Sequence, residues 1–112
     1  MNESILTTIK KLLGIAEEYT HFDEDIIRHI NTTFMVLNQL GVGPAEGFRI
    51  EDDSAIWEDY VSSDDNLEGV ITYIHHRVKL LFDPPLTSAV MDSTNRTVNE
   101  LEWRLNVAAE TK

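Results

Sequence analysis

The sequence has no cysteine, which removes disulfides, thiolate zinc sites and cysteine nucleophiles together. Basic residues are scarce: nine against 20 acidic ones, a net charge of −11 over 112 residues. Proteins that grip nucleic acid set Lys and Arg against phosphates, and no basic stripe runs through this chain. Tight DNA binding is not expected, although DNA that slides past without being held is compatible with such a charge. No apolar run approaches the ~20 residues of a membrane span. The N-terminus shows no basic region leading into an apolar run and cleavage site, so synthesis in the cytosol is the expectation. Apolar content of 42% with 26% charged residues suits one folded soluble domain covering residues 1–112.

The few prolines and glycines act as punctuation between apolar stripes at helical spacing. Residues 4–13 form a short amphipathic helix with Ile5, Ile9, Leu12 and Leu13 on one side. Lys10 and Lys11 suit the negative end of its dipole, and Gly14 is a stop. A second helix is expected over 24–40, capped by Asp23, with Phe22 stapled onto Ile27. It buries Ile26, Ile27, Ile30, Phe34, Leu37 and Leu40, and ends at Gly41 ahead of Gly43-Pro44. Residues 41–53 are a loop, and 54–60 a short helix folding Ile56, Trp57 and Tyr60 onto the core. A central helix over 67–82, opened by an Asp65/Glu68 capping box, carries Val70, Ile71, Ile74, Val78, Leu81 and Phe82. Pro84 lacks an N–H and forces Asp83 out of the α region, so this helix ends near Phe82. The last helix, 87–112, is capped by Ser88, has a narrow stripe of Val98, Leu101, Leu105 and Ala108, and leaves the corner in a new direction. The fold class is therefore all-α: a bundle of about four main helices, with a core over 1–83 and a long C-terminal helix over 87–112.

No catalytic constellation accompanies this architecture. His75 and His76 are adjacent, so on a helix they diverge by roughly 100° and do not make an i,i+4 metal pair. His21 and His29 are two turns apart, and structural roles account for all four histidines. The acids of Glu51-Asp52-Asp53 and Asp64-Asp65 lack the alternation and the sixth-position glycine of a calcium loop. There is no nucleophile elbow, and the glycines of 41–47 lack the lysine and strand–helix frame of a phosphate cradle. Neither enzyme activity nor a cofactor is expected. What remains is surface. Trp103 points about 200° away from Leu101, off the apolar stripe, and tryptophan beside arginine is a favoured interface pairing.

The ordered set GVGP-x-EGF (41–48), the Trp57 helix, VKLLFDPP (78–85), SAVM (88–91) and ELEWRLNV (100–107) resembles the head–tail connector proteins of tailed phages. The resemblance implies a non-enzymatic virion protein, made in the host cytoplasm and placed at the head–tail interface. It implies self-association into a ring of about a dozen copies coaxial with the portal protein, held by heterologous contacts. Such a ring extends the DNA channel towards the tail and receives a stopper or tail-joining protein. Carried onto this chain, the portal-facing candidates are Trp103, Arg104 and Val107, with Leu101 and Leu105 holding the helix on the core. Gly43, Pro44, Glu46, Phe48, Glu51, Asp52 and Asp53 are candidates for ring contacts or the channel wall. Residues 46–68 hold nine acids against one base, Arg49, a net of −8 that suits a wall repelling phosphate or simply keeps free subunits soluble. An acidic helical module binding a cellular partner as a monomer or dimer is the alternative.

Overall fold

Helix periodicity and Pro-Pro punctuation place the central helix where the chain uses it. In the computed structural model, which describes residues 3–61 and 66–110, the described helices are α1 (Ile5–Leu12), α2 (Asp23–Gln39), α3 (Trp57–Tyr60), α4 (Leu67–Phe82) and α5 (Ser88–Glu110). No strand occurs among the described residues, and one isolated bridge joins Ser4 to Ile56. The protein is an all-α bundle. α2 and α5 each pack along α4, and α1 packs against both α2 and α4. The result is a slab of 38 × 35 × 19 Å.

The core is where the stripes meet. Ile5 and Ile9 of α1, Ile26, Ile30, Phe34 and Leu37 of α2, and Val70, Ile74 and Val78 of α4 are all buried. Trp57 is fully buried, and its indole N–H donates to Thr8 Oγ1 at 3.0 Å. A tryptophan needs such a partner when it leaves water. The short α3 thus docks under α1, helped by the Ile5 N–H donating to the Ala55 carbonyl at 3.0 Å.

Several local expectations change. Leu6 replaces Leu12 in the core: residues 5–10 are buried all round because α1 is enclosed, and Leu12 lies beyond the last packed turn, 45% exposed. In α4 Tyr73 joins Ile74 and Val78 as a fully buried residue, whereas Leu81 faces outwards. Ile27 and Leu40 are half-buried at the rims of α2. Asp23 is the first helical residue of α2 and not its cap; its carboxylate turns back to Lys10 Nζ at 2.9 Å. Phe22 precedes it and packs edge-on against Phe82, 5.2 Å between centroids. Lys10 does more than answer a helix dipole. It is 2% exposed, and its ammonium also donates to the carbonyls of Glu17 (2.9 Å) and Tyr19 (2.8 Å). α3 is shorter than 54–60, since Asp52 Oδ1 holds Ser54 in a turn at 2.8 Å from its N–H. The cap of α5 is Thr87, whose hydroxyl accepts from the Val90 N–H at 3.3 Å, rather than Ser88. The Asp65 half of the expected capping box lies outside the described residues; Asn66 precedes α4 at φ 66°.

The largest change concerns the Pro-Pro corner. It does not send α5 away from the core. α5 returns antiparallel along α4, so that Glu102 meets Tyr73 and Arg77, and Leu105 reaches Gly69. The two helices form an αα-hairpin. A Cβ at Gly69 would stand 3.6 Å from the Leu105 side chain, ordinary van der Waals contact, so the two helices pack closely here without requiring a glycine.

Candidate docking surfaces

One side of α5 is fastened and the other is bare. Val98 and Leu105 are buried, and Leu101 packs half-buried beside them. The Tyr73 hydroxyl donates to Glu102 Oε2 at 2.7 Å, and Arg77 reaches the same oxygen at 3.3 Å. Burial, and then this hydrogen bond to a carboxylate, push the Tyr73 phenol far above its usual range. The Arg77 guanidinium also lies over the Tyr73 ring, 5.8 Å from its centroid. Near the C-terminal end, Asn106 Nδ2 donates to the Leu40 carbonyl at 3.1 Å and ties α5 to the end of α2.

With 101, 102, 105 and 106 facing inwards, helical geometry turns 103, 104 and 107 outwards. Trp103 is 63% exposed, and Val107 follows it one turn later on the same ridge. Arg104 is exposed and pairs with Glu100 at 3.6 Å, a surface contact of little energetic weight. A tryptophan this bare is unusual in a folded chain. The three candidates that the resemblance singled out, Trp103, Arg104 and Val107, are thus all exposed on this side of α5.

The loop residues are more divided. Gly43 has φ 89°, and a Cβ there would come within 2.6 Å of the Tyr60 hydroxyl, so the loop lies directly on that ring. Tyr60 is 4% exposed, burial raises its phenol to about 12, and its hydroxyl has no hydrogen-bond partner among the described residues. Phe48 packs edge-on against Phe34 (5.1 Å) and Tyr60 (5.3 Å), so it anchors the loop to the core. Pro44 is half-buried, its carbonyl accepting from Asn38 Nδ2 at 3.1 Å. Glu46, Glu51, Asp52 and Asp53 are exposed. Hydrogen bonds from the Ser54 hydroxyl and N–H hold the Asp52 carboxyl below its ordinary value. Asn31 clasps both the N–H (2.8 Å) and the carbonyl (2.9 Å) of Ile50, fixing the acidic stretch beside α2. The root of the loop touches the last turns of α5, where a Cβ on Gly41 would meet Ala109 Cβ at 3.3 Å. The acidic stretch at 51–53 lies elsewhere, along α2 and next to α3.

Nothing here assembles a reaction centre. Among the described residues no group of three or more His, Cys, Asp or Glu side chains is placed to hold a metal ion. His75 and His76 stack on each other, 4.9 Å between centroids, and both titrate below the ordinary histidine value. For His75 the causes are burial, then His76 and Lys79, opposed by a hydrogen bond to the Leu12 backbone; for His76 the cause is burial. No described helix is long and apolar enough to cross a membrane.

The sequence reading missed the groove along the outer face of α2, bounded by Glu24, Ile27, Arg28, Met35, Arg49 and Glu51. Met35 at a polar position of the helix, 55% exposed, was the available signal.

The chain belongs to the phage connector protein family, which matches it over residues 5–112. No curated protein and no solved structure matches it. Membership makes it a structural component of the virion with a role in head–tail joining, in contact with other head and tail proteins.

Proposed function

We propose that this connector is a ring-forming adaptor that docks on the portal protein and extends the DNA channel towards the tail. The observation that carries the reading is Trp103, 63% exposed on a helix whose opposite side is fastened to α4, in a chain of the connector family. Tryptophan and arginine are the favoured anchors of protein interfaces. In this reading Trp103, Arg104 and Val107 meet the portal. Gly43, Pro44, Glu46, Phe48 and the acidic Glu51, Asp52 and Asp53 then serve ring contacts or the channel wall.

Charge supports the channel role. Every described acid between 46 and 68 is exposed, and assembly multiplies that charge around a lumen. A wall that repels phosphate lets DNA pass, where a basic wall would bind it. A stopper or tail-joining protein completes the far side of the ring.

Size-exclusion chromatography with light scattering, on the chain alone and with purified portal, tests the reading. Rings or a portal complex are the expected result. A chain that stays monomeric at high concentration and ignores portal overturns it in favour of a monomeric binding module. Trp103→Ala is expected to weaken portal docking while shifting stability by no more than about 0.5 kcal/mol, as for other exposed surface sites. Equal losses of docking and thermal stability would make Trp103 a core residue.

A further inference from the structure

Of the basic residues among the described part of the chain, Lys10, Lys11, Arg28, Arg77, Lys79 and Arg104 each form an ion pair within the chain, at 2.9 to 3.6 Å. Arg49 and Arg96 do not. In a chain of net charge −11, an arginine that finds no acid of its own is conspicuous. The two stand in different elements, Arg49 between α2 and α3 and Arg96 in α5.

Arg49 borders the groove on the outer face of α2, an open channel of about 520 Å³. Ile27 and the exposed Met35 give this groove an apolar floor, and Glu24 and Glu51 flank it with Arg49. Arg96 lies in the N-terminal half of α5. That half is the least supported helix of the molecule: residues 88–97 contribute no buried side chain. Leu86, just before it, is fully exposed, and Val90 is 52% exposed. Asp92 and Arg96 are four residues apart and so share a face of the helix. A helical stretch this short is marginal in water without something packed against it.

The geometry suits a contact between copies. α2 and α5 lie along α4, and they touch each other through their C-terminal ends, at Leu40 with Asn106 and Gly41 with Ala109. Away from those ends, the outer face of α2 and the N-terminal half of α5 are two separate exposed surfaces of the chain. Two different complementary surfaces make a heterologous contact, the kind that closes into a ring.

We propose that the N-terminal half of α5 in one copy of this chain lies in the α2 groove of the next copy. Leu86 and Val90 cover Ile27 and Met35. Asp92 meets Arg49, and Arg96 meets Glu24 and Glu51. The proposal rests on the ring reading above and names the contact which that reading leaves open. It leaves Trp103, further along α5, free for the portal.

Charge reversal tests it. A ridge variant, Asp92→Arg with Arg96→Glu, and a groove variant, Glu24→Arg with Arg49→Glu and Glu51→Arg, change only exposed side chains. Circular dichroism melts confirm that each one folds. Each variant alone is expected to need about tenfold or more protein to assemble, since like charges then face each other at every contact. An equal mixture is expected to assemble again, because swapped ridge meets swapped groove and native ridge meets native groove. Wild-type rings with variants that assemble equally well, or a mixture that stays apart, overturn the contact and leave the ring reading standing. Wild-type chain that forms no ring, with or without portal, overturns the ring reading and the contact with it.

Discussion

α2 and α5 are long helices laid along the same partner, yet they are held in different ways. α2 sinks Ile26, Ile30, Phe34 and Leu37 into the core within 17 residues, whereas α5 buries only Val98 and Leu105 within 23. At about 1.5–3 kcal/mol for each fully buried apolar side chain, that is roughly 6–12 kcal/mol against 3–6. α5 recovers part of the difference through polar fastening at Tyr73, Arg77 and Asn106. Its bare side carries Trp103, Val107, Val90 and Arg96. Apolar burial is concentrated in one helix and exposed surface in the other. A helix fixed by a few polar ties keeps most of its circumference available to neighbours.

The largest test of this contrast is Phe34→Ala. Phe34 is 2% exposed and packs between the Phe48 and Tyr60 rings, 5.1 and 4.8 Å away. Its loss is expected to cost about 3–5 kcal/mol, read as a fall in the denaturation midpoint, and to loosen the 41–48 loop as well. Glu102→Ala should cost less, about 1–3 kcal/mol, because it leaves the buried Tyr73 hydroxyl unpaired. Its signature is local: amide hydrogen exchange accelerates along α5 while α2 keeps its protection. Uniform acceleration of both helices would break the contrast and make the molecule a single cooperative unit.

The smallest effect comes from pH. His75 and His76 on α4 both titrate below the ordinary value, so the unfolded chain takes up protons first as pH falls. Their contribution to stability is complete above about pH 6.5 and declines below it. The melting temperature is therefore expected to drop between pH 7 and pH 5, and His75→Gln with His76→Gln should flatten that slope. A slope unchanged by the double substitution would assign it to other groups.

Much of the fold was legible because it rests on spacing. The stripes Ile26–Ile30–Phe34–Leu37 and Val70–Ile74–Val78 are helical repeats, and Gly41 and Pro84 end their helices for local steric reasons. The outward position of Trp103 was legible for the same reason, being off the stripe, whereas Val107 was marked only by the family resemblance. What spacing does not encode is which way a helix turns after a corner. The return of α5 along α4 is held by Tyr73, Arg77 and Glu102, 25 to 29 residues apart in sequence. Lys10 was misread for a related reason: its partners are carbonyls of a loop, and backbone atoms carry no sequence signal. The outer α2 groove depends on Asn31 drawing Ile50 alongside the helix, a contact across 19 residues.

Lys10 and its neighbour have a practical consequence. The Lys10 ammonium donates to two carbonyls of the 13–22 loop and pairs with Asp23, while the Lys11 side chain is 63% exposed and pairs with Glu3. Amine acylation needs a free, deprotonated nitrogen, so adjacent residues in one peptide react at very different rates. Their labelling ratio is an internal clock for opening of the loop next to the Pro-Pro corner, independent of protein concentration and of oligomeric state. The chain thus carries its own reporter of whether that end stays closed.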